Sequence, residues 1–296
     1  MAGEQTKAAI AAQPEWLAQV PTDRRFPDRA RLLFTGCGTS FHAAQTGGDA
    51  VQALELVLRP ERDADLLVLV SHEGETPLTL EAARAWRGPR WLVGGKADGP
   101  IAALCDEVIV CTPTIEQSWC HTASYTCAVA TLAALRGEDV SWLSAAVEEA
   151  LHAELPPVGE QERFLVAGAG PDWPTAQEAV LKLREGAWVA AEAYETEQLL
   201  HGHLAAVDDS VRAFVLEGEG RSVERAAAAM AALDALGCDA TLVPTRHPVV
   251  DIVMFQRLAV NIADARGRDP DRIRRDDARW AAAAKAATWF KPGCGL

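Results

Sequence analysis

The sequence predicts an α/β fold built from two tandem, doubly wound parallel sheets. Short apolar runs rich in Val, Leu and Ile alternate with helical patterns, which is typical of parallel sheets covered on both faces. The strand, glycine turn and helix of "RLLFTGCGTSFHAA" (31–44) recur in "RFLVAGAGPDWPTA" (163–176). A second pair, "LLVLVSHEGET" (66–76) and "RAFVLEGEGRS" (212–222), recurs in the same order. Two repeated features in one order predict an internal duplication, with an N-terminal domain over 1–153 and a C-terminal domain over 154–296.

The elements of the first copy follow one another without long gaps. The predicted order is a helical lead-in at 8–17, a strand at 31–38, a helix over 39–54, a strand at 63–71, a helix at 76–86, strands at 90–95 and 106–112, and a helix at 123–137. The Pro- and Gly-containing stretch "PPVGEQE" (156–162) then indicates a linker.

The second copy is longer than the first between its two turns. Gly38 and Gly74 are 36 residues apart, whereas Gly170 and Gly218 are 48 residues apart. The additional residues fall in the region of "EAYETEQLLHGHL" (192–204). Function is often added to a shared scaffold by such an insertion.

Composition excludes several classes of function. The formal net charge is −14 and no Lys/Arg-rich face stands out, so nucleic-acid and anionic-membrane binding are disfavoured. The start of the chain lacks the basic and apolar segments of a secretory signal, and no uncharged apolar run reaches the ~18 residues of a membrane span. The seven cysteines contain no CxxC pair. We therefore expect a cytoplasmic protein with reduced thiols.

The turn after the second strand raises a question of charge. The strand "LLVLV" ends at Ser71, and a polar turn leads into a helix that starts near Thr76 and Pro77. A strand, a polar turn and a helix N-terminus are the usual parts of an anion cradle, since backbone N–H groups and hydroxyls point at a phosphate. Glu73, a carboxylate, lies in the middle of this turn.

Five segments in one order carry a resemblance to a known family. They are "GCGTSFHAA" (36–44), "SHEGETPLTL" (71–80), "TIEQSWCHTASYT" (114–126), "EAVLKLREGAWVAAEAYETEQLLHGHLA" (178–205) and "HPVVDIVMFQRLAVNIADARGRDPDR" (247–272). This set resembles the double sugar isomerase (SIS) domain family, in particular the isomerase half of the glucosamine-6-phosphate synthases. The resemblance implies flavodoxin-like sheets, a sugar-derivative ligand, a homodimer with shared active sites, and chemistry without an organic cofactor. The family's separate glutaminase domain has no match, so ammonia production from glutamine is not expected.

The resemblance also implies roles for individual residues. Glu185 matches the base that moves a proton between C1 and C2 of the open-chain sugar, Lys182 matches a lysine beside it, and His201 matches a histidine that reaches in from the neighbouring subunit. The implied sugar-binding residues are Gly38, Thr39, Ser40, Ser71, His72, Glu73, Thr76, Glu116 and Trp119. The chemistry is reasonable, because a carboxylate can take a weakly acidic C–H proton and an imidazole can move protons at the ring oxygen.

Departures from the family pattern point to a changed ligand. Glu73 stands where relatives have a phosphate-binding serine, and a carboxylate about 4 Å from a phosphate would cost on the order of 4 kcal/mol per charge pair. The pocket is thus expected to take a sugar that is not phosphorylated, or Glu73 turns away. Ala278 stands near the position of a family lysine, with Arg272, Arg274 and Arg275 close by in sequence.

Other interpretations remain open for the special residues. Lys182 and Glu185 are three apart on one helix face, which is also the spacing of an ordinary surface ion pair. His201 and His203 are a weak metal signal without further ligands, and Cys120 beside His121 fits buried packing better than a nucleophile.

Two classes of function follow from these features. One is an isomerase or amino-sugar deaminase; the other is a carbohydrate-binding regulatory protein without catalysis. Retention of Glu185 and His201 favours the enzyme, whereas loss of the family lysine favours the binder.

Overall fold

The computed structural model describes residues 2–287 and divides them into two compact units. Residues 3–144 form the first unit together with the segment from Asp269, and residues 145–268 form the second. The α/β fold with two parallel sheets is confirmed. The expected boundary between 153 and 154 stays a prediction, and the observed grouping places the segment from Asp269 with the first unit.

The first unit contains a five-stranded parallel sheet. Its strands are β1 (Leu32–Gly36), β2 (Ala50–Gln52), β3 (Leu66–Val70), β4 (Arg90–Gly94) and β5 (Glu107–Val110). Its helices are α1 (Glu4–Leu17), α2 (Thr39–Gly47), α3 (Ala53–Leu58), α4 (Pro77–Ala85), α5 (Ala123–Leu135) and α11 (Ala278–Ala287). Helix α6 (Leu143–His152) starts at the boundary between the units.

The strand order β2-β1-β3-β4-β5 locates the topological switch point of this unit. Every residue of β3 is buried, which explains its continuous apolar sequence. From β1 the chain moves to β2 at one edge and then returns to β3 on the other side of β1, in parallel register with it. The carboxyl ends of β1 and β3 therefore flank the topological switch point, where doubly wound folds bind ligands.

The predicted continuous helix over 39–54 is wrong. Helix α2 ends at Gly47, and the short strand β2 precedes α3. A side chain at 47 would lie 2.5 Å from the ring of Phe34, and Gly48 has φ 138°. The two glycines let the chain pass close over Phe34 and turn into the edge strand, which a helical pattern alone does not reveal.

The second unit contains a four-stranded parallel sheet of order β7-β6-β8-β9. Its strands are β6 (Arg163–Gly168), β7 (Ala190–Glu195), β8 (Val211–Leu216) and β9 (Asp239–Val243), and its helices are α7 (Trp173–Ala187), α8 (Thr196–Leu200), α9 (Arg221–Ala235) and α10 (Pro248–Ala265). In both sheets the unit's first strand lies between its second and its third. The internal duplication itself remains a prediction.

Within residues 2–287, no helix has both the length and the apolar character needed to cross a membrane.

Candidate active site

Two helix N-termini meet the sheet at the switch point of the first unit. Helix α2 follows β1 through Gly38, which has φ 55°, and Thr39 and Ser40 are its first two residues. Helix α4 follows β3 through the turn that ends at Thr76. Ser71 is buried, and its Oγ lies 3.4 Å from Thr76 Oγ1. The predicted cradle residues thus lie at the ends of adjacent strands, with hydroxyls beside helix N-termini.

Glu73 is exposed within this turn and lies in an acidic environment. Lys96, which follows β4, donates to Glu75 Oε1 at 2.6 Å. The hydrogen bond that Lys96 donates to Glu75 raises the pKa of Lys96, and the charges of Glu75, Asp98 and Glu73 raise it further. Lys96 thus pairs with Glu75, and the charges of Glu73 and Asp98 also act on its ammonium group.

His72 is directed away from solvent and joins the turn to the loop at 114–122. Its Nε2 accepts the backbone N–H of Glu116 at 3.0 Å, so the neutral ring carries its proton on Nδ1, which is buried without a partner. The ring packs against Gly95 and lies 5.5 Å from the ring of His121. Burial, with the charge of His121, lowers the pKa of His72 to about 4.

Glu116 is buried and caps helix α5. Its Oε1 accepts the backbone N–H and the hydroxyl of Thr122, at 2.7 and 3.0 Å, and its Oε2 accepts the N–H of Ser124 at 2.7 Å. The N–H groups at a helix start have no partner within the helix, so a buried carboxylate there is strongly favoured. The structure accordingly gives Glu116 a capping role, which sequence reasoning missed.

Trp119 contacts the C-terminal segment of the first unit. Its ring, 39% exposed, lies 4.2 Å from the guanidinium carbon of Arg275 and 5.6 Å from that of Arg272. Arg274 lies over Trp280 instead. Ala278 begins α11, in which no residue is buried.

In the second unit, two carboxylates and one ammonium group lie on one face of helix α7. Lys182 Nζ lies 2.8 Å from Glu185 Oε2 and 3.3 Å from Glu178 Oε1. The side chains of Lys182 and Glu178 are 0% exposed, and that of Glu185 is 23% exposed. An ordinary surface pair would be solvated, so the structure removes that interpretation. Sequence reasoning missed Glu178, although its position four residues before Lys182 was a usable signal.

His201 lies at the C-terminal end of α8 and is exposed in the single chain. His203, two residues on, packs its ring 4.6 Å from that of Tyr194. Among the described residues, no group of three or more His, Cys, Asp or Glu side chains is arranged to hold a metal ion.

Comparisons with known proteins agree with this architecture. No family model matches the chain. A glutamine–fructose-6-phosphate aminotransferase [isomerizing] of Zymomonas mobilis is 26% identical over 82% of this chain and 51% of its own length. The C-terminal domain of the Francisella tularensis glucosamine–fructose-6-phosphate aminotransferase matches with a TM-score of 0.74 and 19% identity, over 90% of this chain and 98% of that one.

The resemblance to the double sugar isomerase family is confirmed. A glucosamine-6-phosphate deaminase of Thermotoga maritima has the same fold, with a TM-score of 0.73 and 19% identity, over 91% of this chain and 97% of that one. At such identities the solved structures show the fold alone. The chain spans about half the length of the curated relatives it matches.

Two histidines make the stability of the fold sensitive to acid. His72 accepts an N–H through Nε2, and His247, at the start of α10, accepts the N–H of Val249 through Nδ1. Burial is the main cause that lowers the pKa of each from 6.5 to about 4. Between these pH values the unfolded chain binds protons that the folded chain does not, so stability falls as the pH falls.

We expect His72→Gln and His247→Asn each to remove about 2 kcal/mol of this acid destabilisation, because an amide can accept the same N–H without titrating. Asp251 acts oppositely, since burial raises its pKa to about 7 and its contribution is lost as the pH rises. Urea unfolding at pH 7.5, 5.5 and 4.5 gives the free energy of unfolding of wild type and variant, and the difference between them isolates the contribution of each histidine. A constant difference across the three pH values would contradict the assignment.

Proposed function

We propose that this chain is a sugar isomerase or amino-sugar deaminase that moves a proton between C1 and C2 of a bound sugar derivative. Glu185 is the base in this proposal. Separately, we assign the cradle around Ser71 and Thr76 as a sugar-binding element of the first unit. The observation that carries the proposal is the buried cluster on α7, in which Lys182 lies between Glu178 and Glu185.

The arrangement of the cluster suits a proton-transfer base. Burying an ammonium group is costly unless carboxylates compensate it, and Lys182 has two. Glu178 is completely buried and balances the lysine charge, while Glu185 alone retains exposed surface. Lys182 holds the carboxylate of Glu185 in a fixed orientation. A positioned base contributes on the order of 10²–10⁴-fold to the rate of such a transfer.

The reaction needs only this base and a group that protonates oxygen. The Glu185 carboxylate takes the proton from the carbon beside the carbonyl, and the C–H electron pair becomes the C=C bond of an enediol as the carbonyl oxygen is protonated. Return of the proton to the neighbouring carbon, with loss of the other hydroxyl proton, moves the carbonyl by one position. A 2-amino sugar begins with the same transfer, after which water displaces ammonia from the resulting imine.

The names of the relatives support this class of chemistry. They include an isomerizing aminotransferase that acts on fructose 6-phosphate and a glucosamine-6-phosphate deaminase. The alternative, a sugar-binding regulatory protein, gains support from the absence of a lysine at 278. The buried cluster favours the enzyme, because a binding protein has no need of an ion triad that is costly to bury.

Glu185→Gln should lower proton exchange at C1 and C2 by about a thousandfold, because the amide cannot take the proton. The measurement is NMR in deuterated water with hexoses, hexosamines and their 6-phosphates. Glu192→Gln, an exposed glutamate of the same unit, is the control and should exchange normally. Sugars that bind to wild type without any exchange would favour the regulatory protein.

The acidic rim of the cradle favours a ligand end that is not a phosphate. Glu73, Glu75 and Asp98 act on Lys96, so the turn has excess negative charge. We propose that hydroxyls or an amine of the sugar face this turn.

Glu73→Ser should then tighten the binding of 6-phosphates by tenfold or more, about 1.4 kcal/mol, and should not tighten the binding of unphosphorylated sugars. Calorimetric titration of wild type and variant measures this difference. Glu55→Ser, the same change at an exposed position of α3, controls for the overall charge. Tight binding of phosphosugars by wild type, with no effect of the substitution, would disprove the role of Glu73.

His201 is proposed to act in the active site of a second copy of the chain, since it is exposed in its own. If so, Glu185→Gln and His201→Asn should each be inactive alone. Subunit exchange between them should restore about a quarter of the wild-type activity, because half of the dimers would then contain one intact site. Mixing and refolding the two variants, followed by the exchange assay, measures the recovery. An active His201→Asn variant would place His201 outside the chemistry, and no recovery in confirmed mixed dimers of two inactive variants would place it in its own subunit's site.

A further inference from the structure

A buried carboxylate near the C-terminus caps the first helix of the chain. Asp271, 8% exposed, accepts the backbone N–H groups of Gln5 and Thr6 at 3.1 and 2.8 Å. It also accepts the hydroxyl of Thr6 at 2.7 Å. Capping the helix requires only the two bonds from the backbone N–H groups, so the bond from the Thr6 hydroxyl is additional.

The hydroxyl of Thr6 extends the contact to the loop at 114–122. Thr6 Oγ1 lies 2.8 Å from Ser118 Oγ, and Ser118 Oγ accepts the N–H of Cys120 at 3.1 Å. The single hydroxyl proton of Thr6 goes to the carboxylate of Asp271, so Ser118 must donate to Thr6. The direction of every bond is therefore fixed, from Cys120 through both hydroxyls to Asp271.

Asp271 holds the same loop through its backbone. The N–H of Trp119 donates to the carbonyl oxygen of Asp271 at 3.3 Å. Three consecutive loop residues, 118–120, are thus tied to one residue of the C-terminal segment. Thr6 and Ser118 are each only 1% exposed, so water does not replace these bonds.

The other side of the loop contacts the cradle. The N–H of Glu116 donates to His72, which follows Ser71 directly, and the carboxylate of Glu116 caps α5. Asp271 and the turn at 71–76 therefore act on the same loop from opposite ends. All of these residues belong to the first unit.

We propose that Asp271 is a positioning residue for the sugar-binding turn, acting through Thr6 and Ser118 on the loop at 114–122. The functional half of this inference rests on the proposed sugar site, whereas the coupling of Asp271 to the loop does not. We call the hydrogen bonds from Cys120 through Ser118 and Thr6 to Asp271 the relay. Its loss leaves buried hydroxyl and amide groups without hydrogen bonds. The loop contains no helix or strand between 114 and 122, so it is the element that can move in response.

The first test follows the loop itself. Asp271→Asn and Thr6→Val should raise hydrogen-exchange rates of the amides at 116–124 by about tenfold in native conditions, the effect of losing one buried hydrogen bond. Thr6→Ser, which keeps the hydroxyl, should restore wild-type rates. Asp269→Asn is the matched control, because the side chain of Asp269 accepts the N–H groups of Gly3 and Asp271, and the amide oxygen of asparagine can accept the same bonds.

The second test follows the ligand. Calorimetric titration with glucose, glucosamine and their 6-phosphates should show binding weakened by about tenfold in Asp271→Asn and Thr6→Val, and unchanged in Thr6→Ser and Asp269→Asn. Ser118→Ala removes only the loop end of the relay and serves if Asp271→Asn fails to fold.

Each outcome of these tests decides one point. Unaltered loop exchange in folded Asp271→Asn and Ser118→Ala overturns the coupling. Faster loop exchange with unaltered sugar binding overturns the positioning role. Faster loop exchange in a protein whose wild type binds no sugar overturns the proposed function and supports the coupling.

Discussion

The organisation of the first unit depends on which groups accept hydrogen bonds from the backbone N–H groups at the starts of its helices. Every helix begins with backbone donors that lack a partner inside the helix. Asp271 caps α1 and Glu116 caps α5, and neither carboxylate belongs to the helix that it caps. At α4 the N-cap hydroxyl of Thr76 faces Ser71 instead of the helix backbone. The chain thus uses its own carboxylates where helices support the loop, and it directs hydroxyls toward the switch point where a ligand is expected.

The second unit follows a different constraint, the balance of buried charge on α7. A fully buried lysine is tolerated because two carboxylates lie within 3.3 Å of its ammonium group. One of the two is completely buried and the other reaches the surface, so the three charges have unequal environments. Such inequality is the physical condition under which one carboxylate can react while its neighbour stays a fixed counter-charge.

The sequence located four of the five strands of the first sheet, but it did not reveal the contacts between loops. The apolar runs of β1, β3, β4 and β5 are short and local, so pattern alone locates them. Lys182 and Glu185, in contrast, were identified through the resemblance to a known family. The edge strand β2 was missed because it depends on the close approach of Phe34 to Gly47. Asp271 and Glu116 were also missed as caps. Asp271 is 265 residues from Thr6, and no local pattern records such a pairing.

The carboxylate in the cradle is best understood from the ions around it. Glu73 is exposed and has Lys96 nearby, so its charge is partly balanced before any ligand binds. That balance is incomplete, because Lys96 is hydrogen-bonded to Glu75 and also faces Asp98. A dianionic phosphate would add charge of the sign already in excess, whereas hydroxyls or an ammonium group would relieve it. The turn therefore has the parts of an anion cradle, and the excess negative charge around it supports the proposal that its ligand is neutral or cationic.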